Sequence, residues 1–251
     1  MLKVISFKIC PFVQRVTALL EAKALDYEIE FISLANKPQW FLDISPNAQV
    51  PVLVTESGRA LFESDAIVEY LDEAYPALLA GVDAEQRAID RAYSYLGSKQ
   101  YLVQCGTMRS SDETAYLERS AKMHKPLSNI AAAKADGKFF NGDQLSMVDI
   151  AWVPVLHRAL IVKQHTGVDL LAPWPALQQW QANLDATGLF AASCAEDFEA
   201  AFIDFYLAST TSLGQLKLVS SSGSCCAPAP ASVSAQSQAK LDDACASGSC
   251  C

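Results

Sequence analysis

The stretch Lys8-Ile9-Cys10-Pro11-Phe12-Val13-Gln14-Arg15 decides how the rest of the chain is read. A β-type run, Leu2-Lys3-Val4-Ile5-Ser6-Phe7, ends just before it. A helical pattern begins inside it, with Val13, Val16, Leu19 and Leu20 on one face. Cys10 therefore stands at a strand-to-helix junction. Pro11 suits the first helical position, because its fixed φ matches and its missing N–H would have no partner there. That places Cys10 at the positive end of a helix dipole, where thiolate is favoured over thiol. Lys8 adds a cation two residues away. Position 13 is Val, so there is no C-x-x-C pair, and an external thiol must resolve any mixed disulfide formed at Cys10. On these eight residues alone, an inert buried cysteine is the competing reading.

Moving outward, Tyr27-Glu28-Ile29-Glu30-Phe31-Ile32 alternates apolar and polar residues and is predicted as a strand. The resulting β-α-β order implies a parallel pair with a right-handed crossover. Asn36 to Leu42 is predicted as a short helix or turn. Ser45-Pro46-Asn47-Ala48-Gln49-Val50-Pro51 leads into a third strand ending at Val54, and Pro51 belongs at its start because it cannot donate a ladder bond. Ser57-Gly58 is a turn, and Ala60-Leu61-Phe62 is its hairpin partner. Glu63-Ser64-Asp65 opens a helix, with Ser64 as N-cap or first-turn residue. Residues 1–76 thus read as a small α/β thioredoxin-like domain.

Tyr75 to Gly81 reads as a linker, and residues 83–207 as an all-helical domain. Ala84 to Met108 is expected as one long helix and Asp112 to Ala135 as a second. Ser146-Met147-Val148-Asp149 is a capping box before a largely apolar helix, and its role is structural. Pro173-Trp174-Pro175 breaks the chain, Ala176 to Ala186 is a further helix, and Cys194 to Leu207 is the last. Residues 208–251 are expected to be a disordered Ser/Ala/Cys tail, too poor in apolar residues to offset the entropy of ordering.

Composition narrows the function. Hydrophobic residues make up 51% of the 251 and charged residues 19%, enough to bury a real core. The net charge of −9 disfavours nucleic acid and anionic membranes as partners. No apolar run is long enough to span a bilayer, and Lys8 and Pro11 interrupt any signal-like core, so a cytoplasmic location is expected. Five of the eight cysteines fall in the last 27 residues, which is not a secreted disulfide framework. The tail repeats Ser222-Gly223-Ser224-Cys225-Cys226 as Ser247-Gly248-Ser249-Cys250-Cys251. Adjacent cysteines have Cα atoms ~3.8 Å apart, below the usual disulfide range. Cys225, Cys226, Cys250 and Cys251 are weak candidates for a soft-metal site, the alternative being a tail with exposed thiols. No metal is required by the rest of the chain.

Several spaced motifs carry a resemblance over residues 1–207. They are Cys10-Pro11-Phe12, Lys37-Pro38-x-Trp40-Phe41, Ser45-Pro46-Asn47 with Val50-Pro51-Val52-Leu53, Phe62-Glu63-Ser64 and the Ser146–Asp149 box. Together they resemble the cytosolic glutathione S-transferases, specifically the cysteine-type classes such as omega, lambda and the dehydroascorbate reductases. The resemblance implies glutathione as co-substrate, a homodimer, and Cys10 as the thiol facing the glutathione sulfur. It implies that Phe12 borders glutathione and that Val50, before a cis Pro51, offers its backbone to the cysteinyl part. Glu63 and Ser64 would hold the γ-glutamyl end, and Lys37 the glycyl carboxylate. From the residues alone, Ser64 can simply cap its helix, Glu63 can be a solvated loop charge and Lys37 a surface lysine. The expected activity is glutathione-dependent thiol transfer or reduction of a small disulfide or electrophilic substrate. A conjugating transferase and a non-enzymatic stress-response binding protein are the alternatives on the same fold.

Overall fold

The computed structural model describes residues 1–216. It begins with β1 (Leu2–Ser6), α1 (Pro11–Ala22), β2 (Tyr27–Phe31) and α2 (Gln39–Ile44). The hairpin β3 (Val52–Val54) and β4 (Ala60–Phe62) follows, and α3 (Ser64–Ala74) closes this half. The sheet order is β2-β1-β3-β4. β1 runs parallel to β2, with Val4 beside Ile29, and antiparallel to β3, with Val4 beside Leu53. This is the thioredoxin-like arrangement expected from the β-α-β order. α1 packs on the sheet through Val13, Val16, Leu19 and Leu20, all buried. Arg15 leaves α1 on another side, is buried, and pairs with Asp65 in the first turn of α3. That pair fixes α3 against α1 beside the sheet.

The second half is helical: α4 (Ala84–Ser98), α5 (Gln100–Met108), α6 (Glu113–Ala133), α7 (Met147–Thr166), α8 (Pro175–Asp185), α9 (Leu189–Ala192), α10 (Phe198–Tyr206) and α11 (Ser212–Gln215). α7 is the hub. Fourteen of its residues are buried, and it packs against α4 and, across the domain boundary, α1. Its start is held by Asp149, whose carboxylate accepts from Ser146 N at 2.8 Å and Ser146 Oγ at 2.7 Å. The same carboxylate accepts from Phe140 N at 2.8 Å and Trp180 Nε1 at 2.7 Å. One side chain thereby ties the 139–142 turn, α7 and α8 together.

Three expectations are corrected. The single helix over Ala84 to Met108 is two, joined at Lys99. Side chains compete for the backbone acceptors at the join: Ser98 Oγ donates to Tyr95 O at 3.3 Å alongside Lys99 N at 3.1 Å, and Gln100 Nε2 donates to Leu96 O at 3.2 Å. The final long helix begins at Phe198, not Cys194. Gly188, at φ +78°, starts the separate turn α9, and residues 193–197 cross to the first domain through Lys8–Asp197 at 2.5 Å. The segment just past Leu207 is also ordered. Thr211 caps α11 by accepting from Gly214 N at 3.0 Å, Ser212 N donates to Ser110 O at 2.7 Å, and Leu213 is buried in a cluster with Ile9 and Phe202. The sequence offers only four apolar residues there, Leu207, Ala208, Leu213 and Leu216, too scattered to signal a packed segment. Cys225, Cys226, Cys250 and Cys251 lie outside the described residues.

Candidate active site

Cys10 is the N-cap residue of α1, with φ −74° and ψ 123°, and Pro11 occupies the first helical position. Its N–H donates to Phe7 O at 3.0 Å, and its carbonyl accepts from Gln14 N at 3.1 Å, the first helical bond. No side chain caps this helix, and its first turn holds no acidic residue. The positive end of the dipole is therefore uncompensated where the thiol sits.

The other two described thiols differ. Burial pushes the Cys105 thiol up, and Tyr206 donates to its sulfur at 3.1 Å. Burial pushes Cys194 up to about 12. Both are packing residues that stay protonated at neutral pH. Tyr101, stacked edge-on to Phe12 at 5.0 Å, is committed to Ala151 O at 2.5 Å, and burial raises its phenol well above the ordinary range. It is a neutral donor to the backbone.

A pocket of about 180 Å³ is lined by Phe12, two residues along α1 from the thiol. Of the residues singled out from the sequence, Phe12, Val50, Pro51, Glu63 and Ser64 line it. The Val50–Pro51 peptide is cis. Ser64 is buried at the first helical position of α3, and Glu63 is the N-cap with φ +68°, a conformation rarely adopted by side-chain-bearing residues. No side chain caps α3, so its first N–H groups lie uncovered at the pocket's edge, a setting suited to a carboxylate. Cys10 itself is 2% exposed and is not among the lining residues. Lys37 is not brought in: its ammonium donates to Ala48 O at 2.7 Å and braces the loop.

Sequence reasoning did not single out Ser45, Gln49 and Phe62, which also line the pocket, nor four further contributors. Asn47 lines the pocket and donates to Glu63 Oε1 at 2.8 Å, holding that carboxylate in place. Leu102 lines the pocket from α5 and so brings the second domain into it. The other two, Gln14 and Arg158, sit behind Cys10. Gln14 Nε2 donates to His157 Nδ1 at 2.8 Å, and Gln14 Oε1 accepts from Arg158 Nη1. The available signal was a lone arginine inside the apolar run of α7.

The surroundings of Cys10 match known proteins. Residues 9–74 match the model for the glutathione S-transferase N-terminal domain, and residues 114–181 that for the C-terminal domain. Glutathione S-transferase omega-1 of Sus scrofa is 30% identical over 187 residues, which is 73% of this chain and 76% of the relative. The chain belongs to the glutathione S-transferase family. Another relative of this transferase is the probable glutathione S-transferase DHAR1, cytosolic, of Oryza sativa, 33% identical over 161 residues, 62% of this chain and 70% of the relative. The crystal structure of rice GST1 in complex with glutathione superposes with a TM-score of 0.71 at 26% identity, covering 83% of this transferase and 96% of that chain. Among its described residues no group of three His, Cys, Asp or Glu side chains can hold a metal ion, and no helix is long and apolar enough to cross a membrane.

Proposed function

We propose that this transferase catalyses glutathione-dependent thiol transfer through Cys10. The observation that carries the reading is a cysteine, without a C-x-x-C partner, at the uncapped N-terminus of α1, whose Phe12 lines the pocket. The Cys10 thiolate attacks the glutathionyl sulfur of a mixed disulfide, and the substrate thiolate leaves. A second glutathione thiolate then attacks the glutathionyl sulfur now held on Cys10. Oxidised glutathione departs and the Cys10 thiolate returns. The Val50 backbone suits the cysteinyl part of glutathione. The N-terminus of α3, with Glu63 and Ser64, suits the charged γ-glutamyl end. We assign Lys37 to bracing its loop rather than to the ligand. Conjugation is the weaker activity, because no hydroxyl stands at position 10 to stabilise a bound glutathione thiolate.

The reading extends to a cytoplasmic homodimer acting on a small disulfide or electrophilic substrate. Exposed apolar side chains on β4 (Phe62) and α4 (Ile89, Tyr95) leave surface for a second copy. The name of the rice relative supports the location. The decisive experiment is Cys10→Ser assayed on a glutathione mixed disulfide. Turnover should fall to background while retention on immobilised glutathione persists, and undiminished turnover would reject the assignment.

A further inference from the structure

Arg158 is fully buried, yet among the described residues no carboxylate pairs with it. Its guanidinium reaches from α7 in the second domain to the strand-to-helix junction in the first. Nη2 donates to Ile9 O at 3.0 Å, one residue before the reactive cysteine. Nη1 donates to Gln14 Oε1 and to Pro154 O at 3.2 Å, and Nε has no hydrogen-bond partner. The guanidinium also lies over the Phe198 ring, 5.5 Å from its centroid. A buried cation held by neutral oxygens and one aromatic face is still costly to desolvate, and stability alone favours an apolar side chain of similar volume.

The groups packed around it give it no counter-ion. From α1, Arg15 is a second buried cation, and its carboxylate partner Asp65 is committed to it. From α5 come Tyr101 and Cys105, both pushed toward their neutral forms by burial. From α7, burial and the neighbouring Arg158 push His157 down to about 3, so it too is neutral. From the 193–197 segment, Cys194 is a protonated thiol, and Asp197 is engaged by Lys8 at the surface.

We propose that Arg158 is a positioning residue for Cys10. By gripping the Ile9 carbonyl and the Gln14 amide it fixes the backbone on either side of the thiol, and it leaves a buried positive charge whose counter-ion is the Cys10 thiolate. The cost of burying the cation is offset when the thiol ionises. Gln14 is integral to the device. Because it is an amide and not a carboxylate, it holds the guanidinium in place without neutralising it.

This inference rests on Cys10 being the reacting thiol, so the test reads the thiol itself and not turnover. Thiolate absorbance is followed from roughly pH 4 to pH 9, as a difference against Cys10→Ser. Arg158→Met should raise the Cys10 midpoint by about one unit, leaving about tenfold less thiolate below the midpoint. Arg158→Lys, which keeps the charge, should recover most of that shift. If Arg158→Met does not fold, Gln14→Glu gives the same answer, because the near-isosteric carboxylate neutralises the guanidinium in place and should raise the midpoint similarly. An unmoved midpoint in a folded Arg158→Met or Gln14→Glu protein overturns the proposal while leaving the role of Cys10 intact. A turnover-competent Cys10→Ser enzyme would instead remove the reading beneath it.

Discussion

Replacing Asp149 by alanine should destabilise this protein far more than loss of an ordinary helix cap. The carboxylate is fully buried and accepts four hydrogen bonds, from Phe140 N, Trp180 Nε1, Ser146 N and Ser146 Oγ, all between 2.7 and 2.8 Å. Burial pushes its carboxyl above the usual range, against the pull of those donors. Asp149→Ala strands three N–H groups that have nowhere to turn. At about 1–2 kcal/mol for each buried donor left unsatisfied, the loss comes to about 3–6 kcal/mol. Ser146→Ala removes only a hydroxyl that donates to a carboxylate with three other donors, and should cost about 1 kcal/mol, the scale of a single cap. Urea unfolding of both variants, followed by tryptophan fluorescence, measures the contrast. If Asp149→Ala costs no more than Ser146→Ala, the account of this residue as the junction of α7, α8 and the 139–142 turn is wrong.

Two further outcomes are expected. A Cβ on Gly97 would lie 2.9 Å from Trp152 Nε1 and 3.1 Å from two other indole atoms, and that indole is pinned by its bond to Tyr93 O. Gly97→Ala should therefore cost about 1–3 kcal/mol by overpacking, seen as a lower urea midpoint, and a neutral result would show that α4 can move away from α7. His157 is stacked between Phe190 and Phe198, and burial followed by the nearby Arg158 charge lowers its pKa to about 3. The unfolded chain binds a proton that the native ring refuses, so this contribution is whole above about pH 6.5 and is lost as the pH falls toward 3. For a half-buried ring the loss between pH 6.5 and pH 5 is at most about 2 kcal/mol. Stability measured against pH should slope less steeply over that interval in His157→Asn, and parallel slopes would contradict the lowered pKa.

The sheet was legible because its signals are local. Alternation in Tyr27 to Phe31 gave β2, Pro11 gave the start of α1, and Ser57-Gly58 gave the hairpin. The capping box at Ser146 was legible for the same reason. The join at Lys99 was not, since it depends on which side chains of Ser98 and Gln100 reach which carbonyls. The packing of α11 was not legible either. Leu213 is buried by residues far away in sequence, and Gly214 is required because a Cβ there would fall 1.9 Å from Ala208 O. At the candidate site, Phe12, Val50, Pro51, Glu63 and Ser64, which line the pocket, were named through the family resemblance rather than from their local pattern. Gln14 and Arg158 were not, because they meet across 144 positions of chain and each, viewed alone, is a polar residue on a helix.

The place of β2 at the end of the sheet bears on how concentrated solutions of this protein behave. Its outer edge offers backbone groups to any approaching strand, and Ile29 and Phe31 are exposed beside them. Glu28 and Glu30 alternate with those apolar residues, and Lys3 pairs with Glu30. Two molecules meeting edge to edge would bring four carboxylates together on chains that each already carry a net charge of −9. The mutual repulsion works against the strand templating fibres, so the acidic residues of β2 act as a colloidal guard on this outer edge of the sheet.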